Sequence, residues 1–197
     1  MSVIQENSTV TWFGAQFTAL HPLLQSLHRD GGILRGQVEL KVGKGAAGWL
    51  GRRIAKSMGI PAHLITAGRC DFSLEVSHRD QSMFWCRTFG ADLRSANNAA
   101  SVVESRFKPV NHFQTGYWIE QHGHLRLHLA VELDQQGGWQ WRLLRVFWFG
   151  LPIPLAVFPR LVAKKTIGGD NYLFQVAFSY PLLGFLFSYS GRLRRAR

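Results

Sequence analysis

The chain has 197 residues, 46% of them hydrophobic, and a formal net charge of +11. That apolar content excludes a disordered chain, and a globule of this length buries roughly 70% of the surface its unfolded form exposes, enough for one core. The basic excess points to an anionic partner, whether phospholipid headgroups, nucleic acid or a small acid, with a merely solvated basic surface as the plain alternative.

Aromatic residues make up 13% of the chain, with 14 Phe and 7 Trp. Such a content suits strands and a roomy, aromatic-lined interior. Cys70 and Cys86 both fall in candidate strands and read as small apolar thiols; their spacing does not decide whether they pair. The opening MSVIQENSTVTWFG lacks the basic and apolar regions of a signal peptide. No apolar run reaches the ~18 residues of a spanning helix, and Val146 to Val157 is interrupted by Pro152 and Pro154. The chain reads as a bacterial-type cytoplasmic protein, with peripheral attachment to a membrane as the alternative.

Residues 1–11 form a loose lead-in. Phe17, Leu20, Leu24 and Leu27 then share one helical face, and Pro22 suits the first turn of a second helix. Ile33 to Val42 alternates as a half-buried strand. Ala46 to Met58 is a basic amphipathic helix with Leu50, Ile54 and Met58 on its apolar face, and Gly59 and Pro61 end it. From Leu64 onward the pattern is strands joined by short turns: Leu64–Ser77, Ser82–Phe89, Val102–Phe107, Phe113–Gln121, Leu125–Leu133, Trp139–Phe149, Leu155–Lys165, Tyr172–Tyr180 and Phe185–Leu193. Leu125, Leu127, Leu129, Val131 and Leu133 oppose Trp139, Trp141 and Leu143 in a hairpin with one buried face. The segments Gly150-Leu151-Pro152-Ile153-Pro154 and Tyr180-Pro181-Leu182-Leu183-Gly184 read as two corners, because proline cannot sit inside a central ladder.

The fold expected is therefore α+β and β-rich: a strongly curved antiparallel sheet of about nine or ten strands, a half-barrel or partly closed barrel, with two N-terminal helices. It forms a single domain over residues 1–197. After the lead-in come a helix-strand-helix unit over 12–60, a β-meander over 64–193 and a basic tail over 194–197.

Trp85, Arg87 and Phe89 share one strand face, a pattern that places a guanidinium between aromatics as an anion anchor, or else lays its stem over apolar surface. Glu104 is the expected partner of Arg87. Trp148 and Phe149, beside the first proline corner, complete the candidate ligand-binding set. His122, His124 and His128 share parity, but no third ligand has metal-site spacing, so no metal and no cofactor is expected. Arg192, Arg194, Arg195 and Arg197 offer a basic tail to an anionic membrane surface. Nucleic acid is disfavoured, because the aromatics read as core rather than as a stacking platform.

The units Phe17-x-x-Leu20-His21-Pro22-x-Leu24, Trp85-x-Arg87-x-Phe89, Gly150-Leu151-Pro152-x-Pro154 and Pro181-Leu182-Leu183-Gly184 with Tyr189-x-Gly191-x-Leu193 resemble a bacterial family, domain of unknown function 4166. The resemblance runs from Phe17 to Leu193. It implies an acidic residue shortly before the penultimate strand, where this chain reads Ala163-Lys164-Lys165-Thr166. Some members of that family follow a nucleotide-binding domain; no Gly-x-Gly-x-x-Gly follows a strand here.

The reading these features favour is a domain that binds a lipid-like amphipathic molecule in a β-sheet cavity. The alternatives are an enzyme acting on a small acidic or acyl substrate, with Arg87 as anion anchor and Glu104 or His21 as acid/base, and an accessory module without a ligand.

Overall fold

A computed structural model describes residues 7–90 and 100–196. Eleven strands form one antiparallel sheet: β1 (Gly32–Val42), β2 (Arg69–Arg79), β3 (Ser82–Phe89), β4 (Ser101–Val110), β5 (Tyr117–His122), β6 (Leu125–Leu133), β7 (Trp139–Trp148), β8 (Leu151–Ile153), β9 (Arg160–Gly168), β10 (Asn171–Tyr180) and β11 (Gly184–Arg195). Ten of them close on themselves. β1 to β7 pair in sequence order, β7 also pairs with β9, and β11 returns to β1. β8 lies outside this ring, paired with β7.

Closure follows from alternation and from devices that bend the strands. Cys70, Phe72, Leu74 and Val76 point inward from β2, and Leu127, Leu129 and Val131 from β6. Leu133 opposes Trp139, Val131 opposes Trp141 and Leu129 opposes Leu143, so the hairpin has the expected register. A bulge at His128/Leu129 then resets the parity of β7, bringing Val146 inward. A Cβ on Gly36 would stand 2.2 Å from the Arg192 carbonyl oxygen, and one on Gly191 2.6 Å from that of Gln37. These glycines let β1 and β11 approach and coil where side chains would hold them apart.

Helices close one end. Before β1 come α1 (Ser8–Phe13), a 3₁₀ turn (Gly14–Ala19) and α2 (Pro22–Asp30). Pro22 opens α2, and the His21 ring nitrogen accepts from the Leu23 N–H. The Phe13 ring stacks on Trp139 with centroids 5.2 Å apart, and Trp12 meets Trp118 edge-on at 5.3 Å. Trp12 donates its indole N–H to the Val110 carbonyl, and the His21 N–H donates to Gly137. Thus α1 falls partly in the stretch expected to be loose.

At the other end lie α3 (Gly45–Ser57) and α4 (Ala62–Ala67). The buried face of α3 is the small-residue row Ala47, Gly48, Gly51 and Ala55; Leu50, Ile54 and Met58 are only half-buried. The helix lies almost on the β11 backbone. α4 corrects the expected strand start at Leu64: Pro61 caps a further helical turn, Gly68 ends it in the left-handed region, and β2 begins at Arg69. Two more strands start later than their composition suggested. Pro154–Phe158 forms successive turns before β9, and the Phe113 N–H is drawn to the Trp12 carbonyl before β5. The two proline units are hairpin features, not strand bends: Pro152 sits in the outer strand β8 and Pro181 in the β10–β11 turn. Cys70 and Cys86 are both free thiols. Among the described residues no helix is long and apolar enough to cross a membrane.

A Cβ on Gly51 would stand 2.0 Å from the Leu186 carbonyl oxygen. Gly51→Ala should therefore destabilise. The helix-propensity gain is only about 1 kcal/mol, and forcing α3 off β11 costs about 1–3 kcal/mol or more. Urea denaturation should show a net loss; a net gain would mean that α3 is free to shift.

Candidate functional site

The barrel encloses a cavity of about 130 Å³. Phe72, Phe89, Phe107, Trp85, Trp141 and Phe174 are among its apolar walls, and Arg87, Ser105, Glu120, Lys165, Tyr172 and Tyr189 bring polar atoms into it. Its floor abuts the helical plug. Its other end runs to Met58, Leu125, Phe158, Leu161 and Phe178. Three residue pairs join β7 to β9, Trp139–Lys165, Gln140–Lys164 and Trp141–Ala163; beyond them β7 turns to β8, and Leu161 and Phe158 line the parted seam.

Arg87 stands inward because it shares parity with Trp85 and Phe89 on β3. Its side chain is 13% exposed and that of Glu120 is 17%. One guanidinium nitrogen donates to Ser105 Oγ at 2.9 Å and the other to Glu120 Oε1 at 3.5 Å. Burial works against its charge, but the Tyr189, Glu120 and Tyr172 oxygens around it prevail and hold its pKa above the ordinary value. Burial likewise pushes the Tyr172 and Tyr189 hydroxyls upward, so both stay neutral.

Lys165 is the second cation inside. Only 4% exposed, it has its Nζ 3.6 Å from the Trp85 ring centroid, 4.1 Å from Trp139 and 5.2 Å from Trp141. The three indoles form a cation–π cage, and the ammonium has no hydrogen-bond partner. Burial first, then the Arg87 charge, brings its pKa well below that of an ordinary lysine, against a smaller opposing pull from Glu120. Beneath it His28 is wholly buried, 4.5 Å from Trp139, with both ring nitrogens unpartnered. Burial, then Lys165 and His78, hold its pKa well below the ordinary value.

The structure gathers Trp85, Arg87 and Phe89 on the cavity wall and places the other candidates elsewhere. Glu104 is not the partner of Arg87: it is one residue out of phase with Val103 and Ser105, faces outward, and binds Arg79 at 2.9 Å. Trp148 and Phe149 project from the β7–β8 turn, 58% and 65% exposed, where Phe149 stacks on His124. His21 is spent as a helix cap, so neither proposed acid/base residue reaches the cavity. Arg192, Arg194 and Arg195 lie at the plugged end, where Arg194 binds Asn171 and Arg195 binds Ser26 and Gly31; Arg197 lies outside the described residues.

Glu120 and Lys165 are the functional candidates that pattern reading missed. Glu120 has the parity of buried Trp118, and Lys165 that of buried Ala163. Alternation held both signals, but two charges in apolar phase read more simply as surface.

The family described as Domain of unknown function (DUF4166) matches residues 20–193. Among curated proteins no relative matches this chain in sequence. Among solved structures, the chain is similar to zebrafish ileal bile acid-binding protein complexed with cholic acid, at 16% identity and a TM-score of 0.35, over 82% of this chain and 97% of that one.

Two predictions follow the charges. Glu120→Gln should cost about 3–5 kcal/mol by leaving Arg87 without its counter-ion, whereas Glu104→Gln, on the surface, should cost under about 1 kcal/mol. Chemical denaturation of both variants checks this, and equal losses would refute the assignment. His28 has a depressed folded pKa, so its contribution is intact above about pH 6.5 and is lost as pH falls from there toward the folded value, at up to about 1.4 kcal/mol per pH unit. Stability against pH should be flatter between about 6.5 and 5 in His28→Leu than in the wild type; an unchanged slope would show that His28 does not titrate on unfolding.

Proposed function

We propose a function for this chain, which belongs to the DUF4166 family, from the chemistry of its cavity: it binds a small amphipathic carboxylate, head inward. The observation that carries this reading is the unpartnered Lys165 ammonium beside Arg87 in a mainly apolar cavity. Among the described residues that line the cavity, Arg87 and Lys165 inside and Lys164 at its exposed edge face the single carboxylate of Glu120, so basic groups are in excess. Lysine and arginine offer only donors, so the missing partner is an acceptor, and an anion supplies both the acceptor and the counter-charge.

Size narrows the class. An apolar cavity of about 150 Å³ takes a benzene-sized ring, and this one offers about 130 Å³. Medium-chain fatty acids and aryl carboxylates fit that scale, with the tail running toward Phe158 and Leu161.

Calorimetry with a series from hexanoate to palmitate, and with the matching alcohols, tests this. Carboxylates should bind, and the matching alcohols should bind more weakly. Lys165→Met should weaken them by about 1.5–3 kcal/mol, tenfold to a hundredfold, and leave alcohols nearly unchanged. The same variant should be more stable than the wild type by about 1–4 kcal/mol, because a buried charge is replaced by an apolar chain. No binding across the series, or equal losses for acids and alcohols, would overturn the reading.

A further inference from the structure

Most of the large exposed apolar side chains gather in three turns, with Trp49, Val102 and Val162 outside them. Trp148, Phe149 and Leu151 project from the β7–β8 turn, Leu155 and Val157 from the turns before β9, and Leu182, Leu183 and Phe185 from the β10–β11 turn. Phe149 is 65% exposed and Leu182 89%. Antiparallel topology puts all three turns at the same end of the barrel, opposite the helical plug. They form an arc around the parted β7–β9 seam, where Phe158 and Leu161 line the cavity. A soluble surface seldom concentrates so many large apolar groups without a partner.

Charge identifies the partner. α3, packed against the start of β11, exposes Arg52, Arg53 and Lys56, with the Arg53 guanidinium 4.9 Å from the exposed Trp49 ring. Arg145 and Arg160 flank the arc on β7 and β9. Between Gln135 and Arg197 the one acidic residue is Asp170, in the β9–β10 turn at the plugged end. An apolar arc backed by cations, with no carboxylate at this end among the described residues of β7 to β11, is complementary to a lipid interface: the aromatics enter the headgroup layer while the arginines meet phosphates.

We infer that the open end of the barrel docks on an anionic phospholipid bilayer, with the β7–β8 and β10–β11 turns inserted and the seam facing the lipid. The docking surface lies opposite the basic tail. Docking does not require the cavity ligand proposed above, so vesicle binding reads on this surface alone.

The test is co-sedimentation of the purified protein with vesicles of phosphatidylcholine alone and of phosphatidylcholine with equal phosphatidylglycerol. Binding should favour the anionic vesicles and fall with salt. Phe149→Asp with Leu182→Asp, both at exposed positions, should weaken it at least tenfold without changing the melting temperature. Arg192→Ala with Arg194→Ala, at the plugged end, should change it less than threefold. Brominated lipid should quench the tryptophan fluorescence of the wild type, and quench it less in a Trp148→Tyr variant. The inference is overturned if the wild type does not bind anionic vesicles, or if the turn substitutions leave binding intact. It is also overturned if those turns instead mediate self-association, seen by light scattering and abolished by the same substitutions without effect on vesicles.

Discussion

A ten-stranded barrel is too wide for its own side chains to fill. Eight strands enclose a space that inward side chains can just occupy, and each further strand adds girth. This chain meets the excess in two ways. Trp12, Phe13, Phe17, Leu20, Leu24 and Leu27 are brought in from the N-terminal helices to plug one end, against Trp118 and Trp139. The remaining space stays open as the cavity. Plug, cavity and mouth are consequences of one strand number.

The cavity is where the fold forgoes stability. An apolar lining would favour hydrocarbon occupants or simple collapse; here it surrounds Arg87, Lys165 and Glu120. Arg87 is supported by Ser105 and Glu120, but Lys165 has only the faces of three tryptophans. Cation–π contact offsets part of the desolvation of an ammonium and supplies no acceptor. A site that leaves a buried donor unsatisfied is less stable than one that pairs it.

The two ends of the barrel carry different chemistry because the α1–α2 plug covers one of them and leaves the other to turns, α3 and α4. The plugged end ties the Arg194 and Arg195 side chains into contacts with Asn171 and Ser26. The open end carries α3 and α4 beside short turns whose apolar residues stay exposed. The seam between β7 and β9 parts at this end because β7 exchanges β9 for β8, and Pro152 sits in β8, outside the ring. One edge strand thus decides both where the ring is weakest and where the apolar turns gather.

Much of the barrel was legible in the amino-acid sequence. Period-two alternation set the inward rows of β2 and β6, Pro22 set the start of α2, and Trp139, Trp141 and Leu143 met their partners as their spacing demanded, because those signals act over neighbouring residues. Trp85, Arg87 and Phe89 were placed on one face for the same reason. Closure was not legible, since it depends on β7 choosing β9 over a free edge and on β1 meeting β11, pairings far apart in sequence. Nor was the partner of Arg87: Glu104 and Glu120 are both carboxylates on neighbouring strands, and a single step of parity turned the first outward to Arg79 and the second inward. Lys165 shows the limit most clearly. In sequence it is half of a basic pair, and only the curvature that brings Trp85, Trp139 and Trp141 around one point makes it a caged cation.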